Sequence, residues 1–197
     1  AELPNREPCP RKPPKTLLPL LPFRSTRQPC HDRLHINGDS YQPVNVARPS
    51  RMVVVRAHSA LVTAVVDQLP NHETALACYR RFAQPRRGAA RAVCSTHAIA
   101  ECYATLTALP LACRVQPAEA ARLIEENFLT HLDAVPLSVT DYQAALARVA
   151  SLGLRSGVIY DALHVRCAER SGCRRIITYN TVDFERLAPS AIEIVTP

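Results

Sequence analysis

Glycine is scarce in this chain: five occur in 197 residues, at 38, 88, 153, 157 and 172. Neither G-x-G-x-x-G nor a Walker-type loop can be assembled from those positions. A glycine-rich phosphate-binding α/β protein, one alternative for an α/β chain, is therefore disfavoured. Long apolar runs are missing too. The best candidate, residues 57–66, is ten residues long and contains His58. A membrane helix needs roughly 18 or more apolar residues, so no membrane association is expected and a cytoplasmic location is. Eight cysteines are present, but none form a C-x-x-C pair. With 47% hydrophobic residues the chain can build a full core, unlike a small disulfide scaffold. Most cysteines are therefore expected to be small buried residues in a reducing compartment. Lysine is nearly absent, with two against 22 arginines, so the net charge of +7 reads as coding bias as much as a polyanion-binding signature.

Proline is not scarce, but it is unevenly placed. Ten of the 17 prolines lie in residues 1–51, together with nine basic and four acidic residues, so this quarter carries +5 of the +7. No period of 2 or 3.6 survives there. The segment is expected to be disordered because it buries too little apolar surface to offset its ordering entropy. Pro19 and Pro22 interrupt the apolar stretch that a signal peptide would need. Cys9, Cys30, His31 and His35 fit no standard zinc spacing. The single methionine, Met52, opens the first strand-like run. Natural translation is expected to start there, leaving residues 1–51 as upstream sequence and 52–197 as the domain.

Within 52–197, strands are expected at 52–56, 92–95, 134–138, 175–179 and 192–195 from their β-branched and apolar runs. Helices are expected at 71–82, 97–109 with Thr96 as cap, 117 to about 132 with Pro117 in the first turn, 159–171 and 182–187. A further helix opens on a capping box of Thr140 with Gln143 and closes at Gly153. Alternating strands and helices imply a three-layer α/β/α fold around a central, mainly parallel sheet. Ligands in such folds sit beyond the carboxyl ends of the strands.

Acidic residues follow those ends. Glu101 lies one turn into the helix after 92–95, Asp161 in the first turn of 159–171, and Asn180 and Asp183 after 175–179. Each has a structural alternative: Asp161 can favour its helix N-terminus, Asp183 can cap a short helix, Glu101 can be a solvated helix residue and Asn180 a turn residue. Their joint placement points instead to carboxylates converging on one edge. Such a group is stabilised by a divalent cation, preferably Mg²⁺ or Mn²⁺ on oxygen ligands. That cation can activate water at a phosphodiester.

The stretches 95–103 (Ser95, Thr96, His97 through Glu101 to Tyr103), 158–164 (with Tyr160-Asp161-Ala162-Leu163-His164), 177–184 (with Thr178, Asn180, Asp183 and Phe184) and 69–73 resemble PIN-domain proteins of the VapC toxin ribonuclease type. The resemblance spans about 52–197. It implies a Mg²⁺-dependent endoribonuclease, the toxin of a toxin–antitoxin pair, with Glu101, Asp161 and Asp183 as metal-site carboxylates and catalytic groups. It also implies Thr178 and Asn180 as supporting groups, RNA as substrate, a small antitoxin as partner and a homodimer. The family places a metal-binding aspartate at the end of the first strand, and Arg56 stands there. At about 5 Å and an effective dielectric of about 20, a guanidinium opposes a dication by roughly 6–7 kcal/mol. The alternative is therefore a catalytically inactive PIN-fold binding protein. His58 is expected to be structural, since imidazole is a poor ligand for a hard cation.

Overall fold

The computed structural model describes residues 54–83, 92–187, 189 and 191–197, with the backbone alone for 54–56 and 83. The expected disordered segment 1–51 and the first two residues of the expected strand 52–56 lie outside the described residues. Five short strands form one sheet: β1 (Val54–Arg56), β2 (Ala92–Ser95), β3 (Asp133–Val135), β4 (Arg175–Ile177) and β5 (Glu193–Val195). Their order is β3-β2-β1-β4-β5, and every neighbouring pair is parallel. The sheet is thus wholly parallel.

Helices α1 (His58–Val65), α2 (His72–Ala83), α3 (Thr96–Ala108) and α4 (Pro117–Leu123, running into a π-helical turn Ile124–Leu129) share one core. Helices α5 (Val139–Ser151), α6 (Val158–Arg170) and α7 (Thr181–Arg186) share another. β2 shows why two cores arise. Alternate strand side chains point to opposite faces, and Ala92 and Cys94 enter the first core while Val93 enters the second. Cys94, Cys102, Cys167 and Cys173 are buried free thiols, as expected of small core residues. Burial pushes the thiol of Cys94 up to about 12, with Cys167 and Asp133 adding to it. Among the described residues no helix is long and apolar enough to cross a membrane.

Three local expectations need correction. Helix α1 was not anticipated. Its sequence is so apolar, with Ala60, Leu61, Val62 and Ala64 all buried, that no 3.6-residue stripe stands out from the strand before it. Ser95, not Thr96, caps α3: its extended backbone and a 3.0 Å bond from the Ala98 amide make it the N-cap, and Thr96 is the first helical residue. The capping box of α5 is Ser138 with Asp141 rather than Thr140 with Gln143. Strand β3 stops before Pro136, three residues earlier than the expected end at Ser138, which frees Ser138 to start the helix. Gly153 and Gly172 do end α5 and α6, each with φ of +64°.

Asp141 joins the caps to the packing. Its carboxylate accepts from the Ser138 amide at 2.8 Å and hydroxyl at 2.7 Å, from Arg166 Nε at 3.1 Å and from Arg170 Nη1 at 2.5 Å. It is 2% exposed. Burial opposes its ionisation, but the Ser138 bonds and the two guanidiniums prevail and hold it down to about 2. Its contribution is therefore present above its ordinary pKa of 3.8 and lost as pH falls through about 2. Asp141→Ala is expected to destabilise the domain by about 2 kcal/mol at pH 7. Urea unfolding should show the gap to the wild type closing towards pH 2.

Candidate active site

The parallel order places the carboxyl ends of β2, β1 and β4 side by side, and from them the chain enters α3, α1 and α7. Glu101 reaches this edge from α3, Asp161 from the first turn of α6, and Asn180 and Asp183 from the start of α7. These expected residues fall into two linked groups.

The first surrounds Glu101 with imidazoles. His164, fully buried on α6, donates from Nε2 to Glu101 Oε2 at 2.7 Å. Its Nδ1 lies 3.2 Å from the hydroxyl of Ser95, the residue that caps α3, so the cap also sets the ring. His58 Nδ1 faces Glu101 Oε1 at 3.4 Å, and His97 Nε2 lies 3.9 Å from Oε2. Neither of those two nitrogens is aligned for a hydrogen bond, and both atoms are buried. Burial alone would raise the Glu101 pKa, but the contacts with His164 and His58 hold it well below the usual carboxylate range. Burial works against the positive charge of His58, yet Glu101 and Asp161 together carry its pKa upward. The His97 pKa goes down, led by burial and only partly opposed by Glu101. Its ring stacks on Tyr160 at 5.0 Å.

The second group is held by an amide. Asn180 Nδ2 donates to Asp161 Oδ2 and to Asp183 Oδ2, each at 3.1 Å, and Arg186 Nη1 donates to Asp183 Oδ1 at 3.1 Å. Thr178 is fully buried. Its hydroxyl accepts from the backbone N–H of Asn180 at 3.0 Å and meets Ser59 Oγ at 3.3 Å, so it positions Asn180 rather than facing the edge. Asp161 is 6% exposed. Burial leads in raising its pKa to about 6, Asp183 and Glu101 add to that, and His164 and His58 oppose it.

The end of β1 supplies the contrast. Arg56 closes β1 by pairing with Ile177; its side chain lies outside the described residues. The next residue, Ala57, is 1% exposed and starts α1 without a side-chain cap. The first polar ring from that strand end is His58, expected to be structural, and it faces Glu101. His58, His97 and His164 are the site residues that sequence reasoning did not assign. The i,i+4 spacing of His97 and Glu101 and the i,i+3 spacing of Asp161 and His164 were the available signals.

A cavity of about 340 Å³ opens beside the cluster, lined by His58, Ser59, Thr63, Asn71, Thr105 and Tyr179 among others. A larger hollow of about 780 Å³, between Arg174, Arg175 and Glu193, lies at the amino ends of β4 and β5. Its charged lining among the described residues is Arg174 and the Arg175–Glu193 ion pair at 2.5 Å. The donors at the carboxyl edge fit a divalent cation. Burial first, with Asp183 and Glu101 adding to it, drives the Asp161 carboxyl up to about 6, and a cation held there would relieve that cost. Native Asp161 keeps its proton to about pH 6, whereas the unfolded chain releases it near 3.8, so stability falls as pH rises through that window. Asp161→Asn is therefore expected to stabilise the metal-free protein by about 1–2 kcal/mol at pH 7, allowing for solvent screening. Thermal unfolding should show this gain vanishing below pH 4.

Comparison with known proteins bears on the fold and the family. A family model described as "PIN domain" matches residues 59–189. Among solved structures, VapC20 of Mycobacterium tuberculosis, described as a sarcin-ricin loop cleaving toxin, aligns at 14% identity with a TM-score of 0.56, covering 71% of this chain and 98% of its own. VapBC2 of Rickettsia felis, solved with a DNA fragment from its promoter, aligns at 15% identity and 0.52, covering 74% and 99%. VapBC-1 of nontypeable Haemophilus influenzae aligns at 14% and 0.52, covering 74% and 98%. No curated protein sequence gives a significant match. With its family match spanning most of the described residues and its three-layer parallel fold, this chain belongs to the PIN-domain family.

Proposed function

We propose that the chain is a metal-dependent endoribonuclease, the toxin component of a toxin–antitoxin pair, acting through Glu101, Asp161 and Asp183. The observation that carries this reading is the Asn180 amide tying Asp161 to Asp183 at an edge where Asp161 already feels Glu101. These three carboxylates would hold Mg²⁺ or Mn²⁺. Such an ion supplies Lewis acidity at a phosphodiester and a water made acidic enough to act as nucleophile at neutral pH. Asn180 and Thr178 keep the two aspartates in register before substrate arrives. Arg186, half exposed and already on Asp183, can turn outward to an RNA phosphate. RNA is the substrate class, an antitoxin the protein partner and a homodimer the assembly. The structural relatives solved as VapBC complexes support the antitoxin.

A second reading is favoured by the end of β1. Arg56 stands where the family resemblance calls for an aspartate. An inactive PIN-fold binding protein would keep the fold and the partner surface without turnover. Cleavage of structured and unstructured RNAs with Mn²⁺ or Mg²⁺ separates the two. On the enzyme reading Asp161→Asn and Asp183→Asn each lower the rate by at least about 100-fold. Cleavage by Arg56→Asp alone, with none by the wild type, would establish the inactive protein instead.

A further inference from the structure

We propose that His58, Glu101 and His164 form a binding site for a transition-metal dication of the zinc class, so that the metal this chain prefers is not magnesium. The proposal rests on the reading of this edge as a metal site, and it changes the ion and the ligands.

The geometry is that of a nearly assembled site. One ligand atom from each of the three residues lies within 4.8 Å of the others. Ligands about 2.0–2.1 Å from a tetrahedral ion stand about 3.3–3.4 Å apart, and His58 Nδ1 is 3.4 Å from Glu101 Oε1. The His164 contact, at 2.7 Å, is a hydrogen bond. A bound ion would replace the proton on Nε2, which leaves to solvent, and the pair would relax outward by about 0.6 Å to the ligand spacing of a tetrahedral ion. His58 Nδ1 is buried and faces Glu101 Oε1 at 3.4 Å without hydrogen-bond alignment, so an ion between them would give both atoms a better-directed partner.

The surroundings are those a metal-bound imidazole needs. A ligating histidine is usually oriented by a partner on its other ring nitrogen. His164 has Ser95 Oγ at 3.2 Å from Nδ1, and Ser95 is itself fixed by the Ala98 amide. His97 closes one side of Glu101 and is braced by Tyr160.

The donor chemistry then selects the ion. Two imidazoles and one carboxylate make the three-ligand set that leaves a zinc ion one open position for water. Magnesium keeps oxygen ligands and its own waters, and gains little from imidazole. Where the end of β1 has Arg56 in place of a carboxylate, His58 brings in a neutral nitrogen. That substitution shifts preference from a hard cation towards a borderline one.

The test uses the full chain freed of metal by chelator, with no RNA. Calorimetry with Zn²⁺, alone and against a thousandfold excess of Mg²⁺, should show one ion per chain that Mg²⁺ does not displace. His58→Ala and Glu101→Gln should each weaken binding by more than about 100-fold, with urea transitions confirming that both fold. His58→Gln, closer in volume, runs beside His58→Ala so that a folding defect does not decide the result. No stoichiometric Zn²⁺ binding, binding that survives the substitutions, or displacement by Mg²⁺ would overturn the proposal. A chain that binds Zn²⁺ through these residues yet cuts no RNA would remove the nuclease reading and leave this one standing. RNA cleavage with Mg²⁺ in a chain that binds no Zn²⁺ would do the reverse.

Discussion

The constraint on which the site depends is the crowding of like charge at one end of a parallel sheet. β2, β1 and β4 are neighbours and point the same way, so the residues that follow them are delivered to a common edge whatever their chemistry. The hydrophobic cores on the two faces hold that edge in place. Leu106 and Cys102 anchor α3 in one core, while Leu163 and Val165 anchor α6 in the other. Glu101 and Asp161 cannot move apart without unpacking helices that bury several apolar side chains each, at roughly 1.5–3 kcal/mol per side chain.

The chain resolves the crowding in two different ways. Glu101 is compensated within the protein by the imidazoles of His164 and His58, and its pKa falls. Asp161 receives one amide proton and little else from neutral partners, and its pKa rises. Two carboxyls at the same edge thus end on opposite sides of their ordinary range. The compensated one is a ready-made ligand, and the uncompensated one is a place where a cation adds stability. The difference between them does not follow from burial, since burial pushes both in the same direction.

Much of this was legible in the sequence, for physical reasons. β2 was bounded at 92 and 95 because an apolar run meets hydroxyl caps there, and α6 because Gly172 ends it. Glu101, Asp161, Asn180 and Asp183 could be placed at one edge because element order in a parallel α/β fold dictates where loops emerge. Helix α1 was hidden because a helix buried on most sides carries no amphipathic stripe. The capping residues slipped by one or two positions because Ser95 and Thr96, or Ser138 and Thr140, are chemically interchangeable as caps. Only the end of the preceding strand decides between them. The histidines were missed for a third reason. His164 sits among apolar residues of α6 and reads as core, and its partner Glu101 is 63 residues away in sequence.

The central claim is that Glu101, Asp161 and Asp183 behave as one cation-binding electrostatic unit. Paramagnetic broadening of the assigned side-chain carboxyl resonances during a Mn²⁺ titration tests it most directly. The account predicts that all three signals broaden together at substoichiometric Mn²⁺ while Asp141, committed to Ser138 and two arginines, stays sharp. Broadening confined to other carboxylates, or none of these three responding at equimolar Mn²⁺, would contradict it.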